Sequence, residues 1–171
     1  MGNYVILKRF YYFAEDYMRF SGNIEGKTDN KGRVFVPACF RRILQAEGCE
    51  KLILRKEPHQ ECLVLYPEST WNAILDELSA KLSRWNSNDR MIFRKFVANI
   101  DELSIDSNGR ILLQKRFRDA AAIEQEVCFV GMDDTIEIWA KDKLEEILDD
   151  NEDFGAELEK TMANKKGGEN E

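Results

Sequence analysis

An α+β fold made of two tandem β-β-α-β-β units sharing one core follows from three observations on this sequence. A short motif occurs twice, as Asp29-Asn30-Lys31-Gly32-Arg33 and, 77 residues later, as Asp106-Ser107-Asn108-Gly109-Arg110. Each copy runs into an alternating apolar segment, Val34-Phe35-Val36 and Ile111-Leu112-Leu113, and each is followed at the same offset by Phe-Arg, at Phe40-Arg41 and Phe117-Arg118. Strand-like runs and helix-like stripes then recur in the same order after both copies. At 171 residues, a duplicated motif suits two half-domains around a common core.

The first unit, placed at 22–69, begins with a strand around Asn23 to Thr28, turns at Asp29 to Gly32, and returns as a strand from Arg33 to Val36. Pro37 suits the first position of a short helix whose apolar face is Phe40, Ile43 and Leu44, stopped by Gly48. Two strands follow, Lys51 to Leu54 and Cys62 to Tyr66, bridged by the polar loop Glu57 to Gln60. Residues 70–97 connect the units. Ser69 is a candidate N-cap for a helix striped by Trp71, Ile74, Leu75, Leu78 and Leu82; Asn86 to Asn88 breaks it, and a second helix carries Ile92, Phe93, Phe96, Val97 and Ile100 on one side. The second unit, 98–141, repeats the order. It has a strand near Asp101 to Ile105, the turn, a strand Arg110 to Leu113, a helix Gln114 to Ala122, and strands Val127 to Val130 and Thr135 to Trp139 around a turn at Gly131 to Asp134. Leu144, Ile147 and Leu148 stripe a closing helix at 142–150, and the acidic end, 151–171, has too little apolar content to pack and is expected to be disordered.

Asp-x-x-Gly between two strand-like segments is a tight-turn signal. Glycine supplies the positive φ, and the aspartate side chain bonds the backbone two residues on. Asp29, Gly32, Asp106 and Gly109 are therefore expected to form the turns. Arg33 and Arg110, immediately after them, stand on rigid stalks.

Net charge is −7, which taken whole disfavours a polyanionic partner. The charge is segregated, however. From Met18 to Gln45 six bases face two acids, a balance of +4, whereas from Met132 to Glu171 fourteen acids face five bases, a balance of −9. The motif neighbourhood is the basic part of the chain. Four cysteines, Cys39, Cys49, Cys62 and Cys128, lack any C-x-x-C spacing, and the one histidine, His59, stands near only Cys62. No zinc set is expected, and the cysteines read as reduced core residues of a cytoplasmic protein. No apolar run approaches the roughly 20 residues of a membrane span. No phosphate-binding loop, nucleophile elbow or histidine-centred triad is found, so neither enzyme activity, a cofactor nor a small-molecule substrate is expected.

Residues 1–17 are aromatic-rich and carry no secretory pattern. Because Met18 directly precedes the patterned sequence, they are expected to be a non-native extension, with translation starting at Met18.

The motif string Phe20-x-Gly22, Asp29-x-Lys31-Gly32-Arg33-Val34-x-Val36-Pro37-Ala38-x-Phe40-Arg41, then Asp106-x-x-Gly109-Arg110-Ile111 and Gly131-x-x-Asp134-x-Ile136-Glu137-Ile138-Trp139, resembles the MraZ family of bacterial transcriptional regulators. The likeness covers roughly Met18 to Leu148. It implies two SpoVT/AbrB-like (swapped-hairpin) repeats forming one pseudo-two-fold β-barrel core. It further implies a homo-oligomeric ring, nucleoid-associated, that binds double-stranded DNA at promoter repeats upstream of cell-division and cell-wall genes, its own promoter included, as a repressor. In that family the Asp-x-x-x-Arg turn touches DNA, which nominates Asp29 and Arg33 in the first copy and Asp106 and Arg110 in the second, the aspartates reading as turn-formers because phosphate would repel a carboxylate. Gln114 where the first copy has Pro37, and Asn108 where it has Lys31, set the second copy apart and make the first the stronger candidate reader.

The residues themselves support a groove reader, since a β-ribbon fits the B-DNA major groove and arginine pairs bidentately with guanine O6 and N7. Lys31, Lys27, Arg19 and Arg42 would then hold phosphates. For Arg33 two readings stand side by side, a DNA contact and a structural ion pair with Asp29. Trp71 and Trp139 read as core and not as base-stacking platforms; Trp85, at a helix end, is open to either reading. A rival from the same fold is an AbrB-like antitoxin or protein-interaction module whose acidic tail wraps a basic partner.

Overall fold

The computed structural model describes residues 19–149 and 153–164; the expectation for 1–17 lies outside the described residues. The chain divides into two compact units, 1–141 and 142–171.

In the first unit, β1 (Asn23–Lys27) leads through the Asp29 turn into β2 (Arg33–Phe35), followed by α1 (Ala38–Ala46), β3 (Leu52–Lys56) and β4 (Leu63–Pro67). Helices α2 (Glu68–Lys81) and α3 (Ser87–Val97) connect this repeat to β5 (Ile100–Leu103), β6 (Arg110–Leu112), α4 (Lys115–Ala120), β7 (Glu126–Met132) and β8 (Thr135–Ala140). The predicted β-β-α-β-β order is thus present twice, and the architecture is α+β.

Strand pairing interleaves the two repeats. The main sheet is antiparallel, in the order β1-β7-β8-β4-β3-β5, while β2 and β6 form a separate ribbon. β1 pairs with β7 of the other repeat, Ile24 opposite Phe129, and β5 pairs with β3, Asp101 opposite Leu54. At the middle of the sheet β4 meets β8 with Val64 opposite Glu137, and at the middle of the ribbon Val34 faces Ile111. Exchanging the repeats maps every one of these pairings onto another or onto itself, so the unit is pseudo-two-fold about an axis through the two centres. Among the described residues the strands close no hydrogen-bonded ring: β1 and β5 are open edges, and the three-residue β2 and β6 pair only with each other. The expected closed barrel is in this respect a sheet and a ribbon.

The period-2 patterns decide which faces meet, because alternate side chains point to opposite sides of a strand. Val34 and Ile111 turn inward from the ribbon; Leu54, Leu63, Leu65, Phe129, Ile136 and Ile138 turn inward from the sheet; and Phe40, Leu44 and Phe117 of α1 and α4 fill the space between. Phe20 packs edge-on against Phe40, ring centroids 5.6 Å apart. Buried Thr28 ties the base of the first turn to the second repeat, its Oγ1 donating to the Glu124 carbonyl at 3.1 Å and its amide to that of Gln125 at 2.8 Å.

Several local expectations need correction. Ser69 does not cap α2: the helix starts at Glu68, directly after Pro67, whose fixed φ leads the chain in without a side-chain cap. Asn86, read as a breaker, is the N-cap of α3, its Oδ1 accepting from the amides of Asn88 at 2.9 Å and Asp89 at 3.1 Å. Ile100 belongs to β5 and not to the preceding helix, because Ala98 and Asn99 end α3 before it. Trp71 is buried, stacked on Phe96 at 5.3 Å, and Trp139 is buried with Nε1 donating to Glu137 Oε2 at 2.7 Å. Trp85, 97% exposed between α2 and α3, is not core. Cys62 and Cys128 are buried and Cys39 and Cys49 half-buried; burial pushes the Cys62 thiol up to about 12.

The second unit holds α5 (Lys141–Leu148, whose first residue closes the first unit) and α6 (Phe154–Asn164). The end expected to be disordered therefore contains a helix. Ala156 to Met162 are mostly strong helix formers, and Asp153 Oδ1 accepts from the Ala156 amide at 3.2 Å. Phe154, Leu158 and Met162 fall four apart on one exposed stripe. No helix among the described residues is long and apolar enough to cross a membrane.

Candidate nucleic-acid interface

The two turns have the same internal wiring. In the first, Asp29 Oδ1 accepts from the amides of Lys31 and Arg33, both at 2.9 Å, while the Gly32 amide donates to the Asp29 carbonyl at 2.9 Å. Asp29 Oδ2 takes Arg33 Nε at 2.7 Å and a terminal guanidinium nitrogen at 2.6 Å. In the second, Asp106 Oδ1 accepts from Asn108 and Arg110 amides at 2.9 Å, and Oδ2 from Arg110 Nε at 2.9 Å. One carboxylate thus folds the loop with one oxygen and orients the arginine with the other. The ion-pair reading of Arg33 is realised geometrically, and it leaves the terminal edge of the fork as the part that can serve a ligand.

Electrostatics follow from this wiring. The hydrogen bond from the Arg33 side chain, then that from its amide, hold the Asp29 carboxyl down at about 2. Asp106 is also lowered, chiefly by the Arg110 amide. Because the folded carboxyl titrates below its ordinary value of 3.8, its pairing stabilises the fold above that value and is lost as pH falls towards 2. Asp29→Asn keeps an oxygen for the two amides and removes the charge. Its stability deficit in urea unfolding is expected to stay constant from neutral pH down to about 5 and to vanish towards pH 2; a deficit that grows on acidification would contradict the assignment.

The ribbon places both arginines on one outward face. Arg33 stands opposite Leu112 and Phe35 opposite Arg110, with the Arg110 guanidinium 5.9 Å from the Phe35 ring centroid. Phe35 is 59% and Leu112 46% exposed. Two arginines and two apolar side chains therefore alternate in a two-fold related patch. Lys31 is exposed at the tip of the first turn and Arg42 exposed on α1.

The remaining nominated bases are not gathered there. Arg19 pairs with Asp133 at 3.1 Å, beside the β7–β8 turn and at the far end of β1 from the Asp29 turn. Lys27 pairs with Glu126 at 3.4 Å, beside the first turn. Gln114 occupies the same place before α4 that Pro37 occupies before α1, with φ/ψ of −58/149 against −51/137, so the replacement leaves the backbone path unchanged.

Two residues noticed in the sequence only as part of the repeat lie directly on the turns. Arg118 of α4 packs against Gly32, and Arg41 of α1 against Gly109. The signal was there in the matched Phe-Arg offsets, but nothing in the sequence says which turn each arginine meets.

A family model for the MraZ protein, described as antitoxin-like, matches residues 19–95 and again 96–165. The chain belongs to the MraZ family. Among curated MraZ proteins, the "Transcriptional regulator MraZ" of Phocaeicola vulgatus is 55% identical over 145 residues, 85% of this chain and 94% of that protein. That of Bacteroides fragilis is 51% identical over 85% of this chain and 92% of its own. A more distant MraZ, from Christiangramia forsetii, is 33% identical over 84% and 92%. The two matches meet at residues 95/96, in the last turn of α3 and a few residues before β5, where the second copy of the strand order begins.

Proposed function

We propose that this chain is a sequence-specific DNA-binding transcriptional regulator, a repressor of a cell-division and cell-wall gene cluster that includes its own promoter. It acts in the nucleoid of the cytoplasm as a homo-oligomeric ring on repeated promoter sites. The relatives' name supports the regulatory role. One observation carries the DNA reading: the single outward ribbon presents both Asp-oriented arginines, Arg33 and Arg110, in a two-fold related pair.

A two-stranded ribbon enters a major groove about 12 Å wide, and an arginine whose Nε side is fixed by a carboxylate offers its terminal nitrogens to guanine O6 and N7. Pre-orientation lowers the side-chain entropy lost on binding. Lys31, Arg42, Lys27 and Arg19 serve as phosphate contacts, with Lys31 nearest the reading edge. The carboxylates cancel part of the local charge, so a lone protomer binds weakly, and a ring on direct repeats multiplies weak contacts by raising effective concentration. Residues 22–69 and 98–141 are each one SpoVT/AbrB-like unit, and the exchange of strands between them supports a swapped-hairpin core.

The test is an electrophoretic shift with the DNA upstream of the gene, over a salt series. Binding should weaken steeply with salt, its log-log slope of about −0.9 per neutralised phosphate counting the contacts made. Absence of any shift at low salt would sink this reading and leave the second one, a protein-interaction module. That alternative is favoured by the acidic α6 with its exposed Phe154, Leu158 and Met162.

A further inference from the structure

We propose that Arg41 and Arg118 are positioning residues that act across the repeats, each holding the turn of the other unit in the shape its arginine needs to read DNA. The inference rests on the DNA reading above and assigns residues that make no DNA contact themselves.

Each turn is held at its glycine by the other repeat or its strand partner. Gly32 has φ +82, and the place a Cβ would take lies 2.6 Å from the Leu113 carbonyl oxygen and 2.9 Å from Arg118 Nε. Gly109 has φ +84, and the same place is filled by the Arg41 guanidinium, its central carbon at 2.7 Å. The glycine carbonyls are captured in the same crossed sense, Leu113 N donating to Gly32 at 2.8 Å and Val36 N to Gly109 at 3.0 Å. An arginine beyond β6 thus leans on the turn before β2, and an arginine beyond β2 leans on the turn before β6. Since Asp29 and Asp106 orient Arg33 and Arg110 only while their loops keep this shape, the crossed arginines set the reading geometry one step removed.

The two braces are unequal. Arg118 Nε donates to the Leu113 carbonyl at 3.1 Å, so this arginine is itself anchored. Arg41 Nε is buried and makes no hydrogen bond among the described residues; Arg41 lines a cleft of about 350 Å³ with Gln45, Cys49, Asp106 and Ser107. The first turn is the more tightly held, and loss of Arg118 matters more than loss of Arg41.

The experiment measures affinity for the upstream DNA by fluorescence anisotropy, for Arg118→Met and Arg41→Met alone and combined with Arg33→Ala or Arg110→Ala. Methionine keeps an unbranched stem and removes the fork. Arg118→Met should weaken binding about 10-fold and Arg41→Met about 3-fold, within the usual range for coupled neighbours. Neither should change the salt slope, whereas loss of a phosphate contact reduces it by about 1. Arg118→Met should add almost nothing once Arg33 is gone but keep its full effect without Arg110, and Arg41→Met should show the mirror pattern. Coupling within one repeat, full additivity with both, or a reduced slope would each overturn the proposal. Should Arg118→Met not fold, Arg118→Lys, which keeps a cation and lacks the planar fork, must give the same crossed pattern.

If Arg33→Ala and Arg110→Ala both leave affinity unchanged, the DNA reading fails, and amide hydrogen exchange of the free protein decides the brace by itself. Exchange at Gly32 should accelerate in Arg118→Met and not in Arg41→Met, and at Gly109 the reverse. Acceleration in the arginine's own repeat, or none, contradicts it.

Discussion

Replacing Arg33 and Arg110 together by alanine is expected to lower affinity for the upstream DNA about 100-fold or more, while melting temperature changes by no more than about 2 °C and oligomer size is unchanged. A bidentate arginine–guanine pair discriminates by about 1–3 kcal/mol, so two per protomer suffice for that loss. The fold should survive because neither turn is built from the guanidinium. Asp29 Oδ1 bonds the amides of Lys31 and Arg33, and Asp106 Oδ1 those of Asn108 and Arg110, whatever side chain follows. Exposed ion pairs contribute little to stability, and surface changes away from caps and core are nearly neutral. The outcome separates the two readings of Arg33. A purely structural ion pair would leave DNA affinity intact.

The largest effect on stability is expected from Gly32→Ala, at about 2–4 kcal/mol, a fall of roughly 5–15 °C in melting temperature for a chain of this size. Two penalties combine. A φ of +82 is left-handed backbone that an alanine enters only at a cost, and the new methyl would sit 2.6 Å from the Leu113 carbonyl oxygen, a backbone atom of the paired ribbon that cannot step aside alone. Gly109→Ala shares the first penalty at φ +84 but collides with the Arg41 guanidinium, the movable end of a long side chain beside a cleft. Its cost should be smaller, about 1–2 kcal/mol. Thermal unfolding of both variants checks the ranking; equal losses would mean that the carbonyl contact is relieved cheaply.

Much of this fold is legible in the sequence because duplication constrains the reading twice. Asp29-x-x-Gly32 and Asp106-x-x-Gly109 fix the turns, and the alternation in Val34-Phe35-Val36 and Ile111-Leu112-Leu113 tells the inward residues from the outward ones. Local patterns do not say which strand pairs with which. That β1 joins β7 and β2 joins β6 depends on contacts from 75 to 107 residues apart, for which periodicity carries no record. The same blindness hid the roles of Arg41 and Arg118, which meet turns in the opposite repeat. It also scattered the basic residues: Arg19 and Lys27 share the +4 segment with Arg33, yet each finds its carboxylate on the β7 side, at Asp133 and Glu126. At Asn86 and at 154–164 the errors were local. An asparagine cap and an asparagine break look alike in sequence, and low apolar content masks the helix propensity of 154–164.

Pairing of the oriented arginine of the first turn with a guanine edge is measured by binding to upstream DNA in which guanines of the repeats are replaced by 7-deazaguanine. This removes the N7 acceptor and leaves base pairing intact. The native protein should lose affinity at one guanine per repeat, by less than Arg33→Ala loses on unmodified DNA because O6 still accepts, and Arg33→Ala should lose nothing further there, since the N7 contact is already gone. Equal losses in the native protein and in Arg33→Ala at every position would contradict this pairing.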